Sequence, residues 1–197
     1  MTTAPGLHQA LTDPPPRPLP HRAEQLLREL DAPPRLAAHL RAVHDTALDL
    51  LSWLAEHHPE VAVDREAVLF GAATHDIGKC LHPGELSGPG SRHEPDGHRL
   101  LLSMGVPERL ARFARTHASW DDPKTTLEDH LVSLADKVWK ARRTPDLEQL
   151  VVDRLAREAP PWQVFMRLDD VLTTIADGAD ARLAFQNAYP ITTQAPR

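Results

Sequence analysis

Apolar residues in this chain recur every three or four positions, and several of these runs hold a histidine or an aspartate. Leu36, Leu40, Val43, Ala47, Leu50 and Leu54 follow that spacing, which predicts one long helix over 35–57 with a core-facing stripe. Strand-like alternation is scarce, and no internal repeat is evident. Further helices are expected over 21–30, from the Asp64 cap to "THDIGK", and over 94–104, 107–118, 127–142, 146–158 and 162–185. Pro107 and Pro145 fall near helix starts, where a missing backbone donor costs nothing. The pattern predicts an all-α bundle.

Three segments differ in composition. Residues 1–20 are rich in proline, which predicts a loose, extended leader. Residues 21–185 carry the helical patterns of one domain, and 186–197 read as a tail. A Gly/Pro-rich loop is expected over 81–92, "LHPGELSGPGSR".

The 197 residues carry 41% apolar and 25% charged side chains, with a net charge of −6. That balance fits one globular domain with a full core. It supplies no global basic field for DNA or RNA. No apolar run is long enough for a membrane span, and the first residues lack an apolar signal-peptide core. Cys80, the single cysteine, excludes an internal disulfide and fits a reducing compartment. The expected location is cytoplasmic. Twelve histidines are the unusual count, since imidazole suits metal binding and proton transfer near neutral pH.

In "VLFGAATHDIGK", residues 68–79, an apolar helix ends by placing His75 and Asp76 side by side. A buried carboxylate beside an imidazole is costly unless a cation neutralises it. A divalent metal does so and takes both as ligands. The pair alone fits a helix-capping hydrogen bond equally well. Other runs add to it. Asp136 lies in "LVSLADKVWK", His117 in "LARFARTHASW" and His93 in "SRHEPDGHRLLL", with Gly97 positioned to let another backbone approach closely. Polar, metal-capable residues on separate apolar helices predict a metal centre. His39 and His44 share one helix. Five residues turn it by about 140°, so only one of them can face a given metal. His39 lies slightly nearer the centre of the apolar stripe, and His44 stays as the alternative.

These pieces, in order, resemble the HD-domain superfamily of helical, metal-dependent enzymes, mostly phosphohydrolases. The resemblance covers roughly residues 35–143 and implies an HD-type helical bundle. Its first element, H-x-x-x-V, fits "HLRAV" and so His39. It implies a site of His39, His75, Asp76 and Asp136. His93 and His117 are surplus to that set, as in binuclear members, where the first aspartate bridges two ions. Glu94 and His98 compete with His93, and Ala118 stands where some binuclear members carry another histidine. The implied cofactor is one or two divalent transition ions, Fe, Mn, Co, Ni or Zn, given the mixed nitrogen and oxygen donors. Such ions suit hydrolysis of a phosphate ester or anhydride by an activated water.

Asp76 and Lys79 are therefore the expected catalytic residues. Lys79, Arg92, Lys137 and Lys140 are candidate phosphate contacts, the last two within a local basic cluster that includes Arg142 and Arg143. Trp120 is a candidate stacking partner for a base. Cys80 has no evident base and reads as inert. The expected substrate is a small phosphorylated molecule, foremost a nucleotide. A di-iron oxygenase and a non-catalytic, metal-stabilised nucleotide-binding module are the alternatives. Oligomeric state is not set by these residues.

Overall fold

A computed structural model describes residues 6–156 and 159–192. Among them are eleven α-helices and no strand. The helices are α1 (Leu7–Thr12), α2 (His21–Glu29), α3 (Pro34–His57), α4 (Arg65–Thr74), α5 (His93–Ser103), α6 (Glu108–Ala111), α7 (Phe113–Thr116), α8 (Leu127–Val138), α9 (Pro145–Leu155), α10 (Pro161–Asp177) and α11 (Ala179–Asn187). Short 3-10 turns follow α4 at Ile77–Cys80 and Pro83–Leu86. No helix among the described residues is long and apolar enough to cross a membrane.

α3 is the axis of the bundle. It packs against α1, α4, α8, α10 and α11. The stripe from Leu36 to Leu54 is at most 1% exposed at each of its six positions. Burying each leucine contributes about 1.5–3 kcal/mol, and that fixes the rotation of α3. His39 is thereby turned toward α4 and α8.

The ends of α4 and α8 follow local rules. Asp64 caps α4, its side chain accepting from the Ala67 amide at 3.0 Å. At the start of α8, Thr126 and Asp129 form a capping box. Thr144 precedes Pro145 at the first position of α9, as Pro160 precedes Pro161 in α10.

Over its described residues, 6–20, the proline-rich leader is not loose; residues 1–5 of that expected segment lie outside the described ones. Residues Leu7–Thr12 form α1, and Ala10, Leu11 and Leu19 are buried. Arg41 of α3, 1% exposed, donates to the carbonyls of Ala10 and Asp13 at 3.0 and 2.7 Å and to that of Pro16. A buried guanidinium whose two terminal nitrogens donate to three carbonyls holds the segment down, which proline content alone does not reveal. The tail is likewise engaged as far as it is described. Tyr189 is 4% exposed and donates to Asp13 Oδ2 at 3.0 Å.

Three expected helices differ in extent. The one over 107–118 is two single turns, α6 and α7. The one over 127–142 stops at Val138, and Ala141 takes a left-handed φ of 58°. The one over 162–185 divides at Gly178 into α10 and α11. α11 thereby folds back over the start of α3.

Candidate metal centre

His39 comes from the first half of α3. His75 and Asp76 come from the end of α4, where the chain leaves the α-helix for the 3-10 turn. That transition lets two adjacent side chains address one space. Asp136 lies on the last turns of α8, His93 begins α5, and His117 caps α7. All six are buried, none more than 8% exposed.

Their donor atoms form two groups: His39, His75 and Asp136, and then Asp76, His93 and His117. Within each group the atoms lie within 4.8 Å of one another. Asp76 spans both. Its Oδ2 lies 3.2 Å from His39 Nε2 and 3.6 Å from His75 Nε2. Its Oδ1 lies 3.0 Å from His93 Nε2 and 3.5 Å from His117 Nε2. Asp136 Oδ1 closes the first group, 3.5 Å from His75 Nε2 and 3.7 Å from His39 Nε2.

The imidazole tautomers are fixed from behind. His75 Nδ1 donates to the Ala72 carbonyl at 3.0 Å, and His117 Nδ1 to the Phe113 carbonyl at 3.1 Å. His93 Nδ1 donates to Glu85 Oε2 at 2.5 Å. Each Nδ1 therefore carries the proton, and each Nε2 lone pair faces the carboxylates. A ring of lone pairs and anionic oxygens repels itself unless a cation sits among them. This donor set fits a divalent transition metal.

Burial works to raise the pKa of Asp76, but when the imidazoles are protonated at Nε2 as well, the charge of His75 and hydrogen bonds from His117, His39 and His93 override it and hold the carboxyl well below its usual range. Asp136 follows the same balance. Desolvation is outweighed by His75, Lys137 and His39, and its pKa also stays well below normal. Both carboxylates are thus poised as anions. His93 is raised, because its bonds to Asp76 and Glu85 outweigh desolvation. Protons and a metal therefore compete for the same lone pair.

Glycines set the second group. A Cβ on Gly78 would lie 2.0 Å from the His93 carbonyl oxygen, and one on Gly97 would lie 2.9 Å from the Gly78 nitrogen. The turn after Asp76 and the first turn of α5 thus touch backbone to backbone, as the position of Gly97 predicts. That contact brings His93 to Asp76. A Cβ on Gly71 would lie 2.5 Å from the Phe113 ring, so α4 accepts α7 at close range. Thr116, next to His117, donates to Asp129 Oδ1 of α8 at 2.8 Å.

The other expected residues divide. Lys79 Nζ lies 2.6 Å from Asp76 Oδ2. A cavity of about 230 Å³ is lined by His39 and Lys79 and, on its other walls, by Arg35, Trp139, Lys140 and Gln186. Lys137 pairs with Asp136 Oδ2 at 2.7 Å and is not part of that lining. Arg92 is exposed and outside the cavity, and Trp120 packs against the core instead of facing a ligand. Arg143 is held by Glu148 and Asp169, both at 2.7 Å, so it fixes α9 and α10. His98 pairs with Glu108 at 2.7 Å, away from the centre, and Glu94 makes no contact with it. His44 lies on another face of α3, buried, with Nδ1 unpartnered and a pKa pushed down to about 4 by desolvation. Burial likewise pushes the Cys80 thiol up to about 12, which fits an inert side chain.

Two contributors escape sequence reasoning. Glu85 is the one acid in the 81–92 loop, and Gly90 leaves room for it: a Cβ there would lie 2.5 Å from Glu85 Oε1. Arg35 lies four residues before His39, and nothing in the sequence marks it as part of a cavity wall.

A family model for the HD domain matches residues 24–139. The chain belongs to the HD-domain family, whose members are metal-dependent and of phosphohydrolase type. The match spans α2 to the end of α8 and includes all six residues of the two groups; α9 to α11 lie beyond it. Searches of curated proteins and of solved structures found no match.

Proposed function

We propose that this protein hydrolyses a phosphate ester or anhydride of a small molecule, with two divalent transition-metal ions held by His39, His75, Asp76, His93, His117 and Asp136. One observation carries the reading: the two oxygens of Asp76 are divided between two separate groups of donors. A single ion would leave one group of buried lone pairs without a counter-charge. Ions of this kind supply a water that deprotonates near neutral pH and draw charge from phosphoryl oxygens.

The chain's own residues do the rest. His75, His93 and His117 are locked in one tautomer, which keeps the centre preorganised. Lys79 bonds to Asp76 and lines the cavity, so its ammonium stands where a phosphoryl oxygen approaches the centre. Lys140 and Arg35 extend positive charge along the cavity. Nucleotides are the first substrates to test.

The experiment is a screen of nucleotides and simple phosphate esters against protein stripped by chelation and then reloaded with Fe, Mn, Co, Ni or Zn. Phosphate release that returns at least about 100-fold on reloading is expected, since loss of a preorganised electrostatic element costs that much. Oxygen uptake without phosphate release would mark an oxygenase. Ligand binding without any product would mark a binding module.

A further inference from the structure

The cavity beside the centre contains more positive charge than one phosphoryl group needs. Lys79 faces the Asp76 end. The same lining holds Arg35, about one helical turn before His39 on α3, and Lys140, with Gln186 of α11. No aspartate or glutamate lines the cavity, although the chain carries a net charge of −6.

The compensation of these cations differs from the surface pattern. Among the described residues Arg35 has no carboxylate partner. Its Nε donates to the Tyr189 carbonyl at 2.9 Å and its Nη2 to that of Asn187 at 3.3 Å. Two neutral carbonyls orient the guanidinium and leave its charge in place. Lys140 makes no ion pair among the described residues, and its ammonium lies 5.5 Å from the Trp139 ring centroid. Trp139 lines the same cavity at 3% exposure, and among the described residues its indole N–H has no acceptor. A buried donor without a partner is costly. Two uncompensated cations and an orphan donor on one wall match an anion.

Part of the wall comes from the C-terminal helix α11. Gln186 belongs to α11, and the carbonyls that orient Arg35 lie at its end and just after it. Arg182 fastens α11 to the end of α8 through the Trp139 carbonyl at 2.7 Å. All of these α11 residues lie outside the segment matched by the family model.

We infer that Arg35, Lys140 and Trp139, with Gln186, form a second anion subsite, so that the ligand carries two anionic groups. Placing the first group, a phosphoryl, at the Asp76 centre rests on the hydrolase reading above. The second group is a carboxylate or a further phosphate.

Three non-hydrolysable probes of similar length test this by calorimetry on metal-loaded protein: propylphosphonate, 3-phosphonopropionate and propane-1,3-diphosphonate. At least one two-anion probe is expected to bind ten-fold or more tightly than propylphosphonate. The tighter of the two shows whether the second group is a carboxylate or a phosphate. Lys140→Gln and Arg35→Gln should each remove most of that preference, with metal content unchanged and with a smaller loss of propylphosphonate affinity than of two-anion affinity. Lys140→Gln guards against a folding artefact, because among the described residues the Lys140 ammonium makes no hydrogen bond or ion pair. Arg35→Lys should keep part of the preference. Equal affinity for all three probes, no binding of any, or a preference that survives in both glutamine variants overturns the subsite. A protein that cleaves no phosphate ester but keeps the Arg35- and Lys140-dependent preference would instead retract the hydrolase reading and leave the subsite standing.

Discussion

The two donor groups around Asp76 are built by different means. His39 and Asp136 sit within α3 and α8 and His75 caps α4, three helices that pack on one another through buried faces. Their positions follow from packing, and no side chain outside the group is needed to aim His75. His93 and His117 sit on the first turn of α5 and at the end of a four-residue helix. A four-residue helix such as α7 has little intrinsic stability, and the first turn of α5 is its unsupported end. This half therefore depends on the glycine contact between Gly78 and α5, on Glu85 behind His93, and on Asp129 beside Thr116. A half aimed by packing should resist local substitution. A half aimed by a few contacts should yield to it.

The largest expected effect comes from Gly78→Ala. The new Cβ would meet the His93 carbonyl oxygen at 2.0 Å, so α5 must move. Overpacking of this kind costs up to about 3 kcal/mol. The second group should lose its ion while the first keeps one, which metal analysis and urea unfolding together would show. Loss of both ions would mean that the halves are not separable.

Glu85→Gln probes the same half more gently. The amide no longer offers an anionic acceptor to His93 Nδ1, and such changes behind a ligand cost about 10–100-fold in metal affinity. The weaker of two binding steps should shift, and the tighter should not. A uniform shift in both steps would place Glu85 outside this division.

How much of this the sequence discloses follows the same line. The α3 stripe, the Asp64 cap and the six donor residues are legible because their signals are local: a 3.6-residue period, a capping side chain, a polar residue in an apolar run. The turn per residue allows only one of His39 and His44 to face the centre; the lean to His39 comes from the apolar stripe and from the resemblance of "HLRAV" to the family's first element. Glu85, Arg35 and Gln186 are not legible, since their roles come from where a loop and a C-terminal helix land. The leader misled for a related reason. Its prolines are visible, but the buried Arg41 that binds its carbonyls lies on another helix.

The remaining effect lies outside the centre and leaves its ions in place. His44 has a pKa near 4 in the folded chain, against 6.5 for the free side chain, chiefly through burial, with Asp45 opposing and Arg17 and Arg41 adding to the shift. The unfolded chain therefore takes up a proton that the folded chain refuses. Stability from neutral His44 is complete above pH 6.5 and declines as the pH falls toward 4, a loss on the order of 3 kcal/mol. His44→Leu should flatten the fall of stability over that window, measured by urea unfolding at several pH values, without changing metal content at neutral pH. An unchanged slope would show that His44 is not held neutral.

The central claim is that Asp76 joins two ion sites, and metal stoichiometry tests it most directly. Elemental analysis of protein purified without chelators and saturated with one transition metal should give about two ions per chain for the wild type. His117→Ala should keep one ion, and Asp76→Ala, which removes an oxygen donor from each group, should keep none. One ion in the wild type, with no change in His117→Ala, would contradict the bridging role and leave a single site of His39, His75, Asp76 and Asp136.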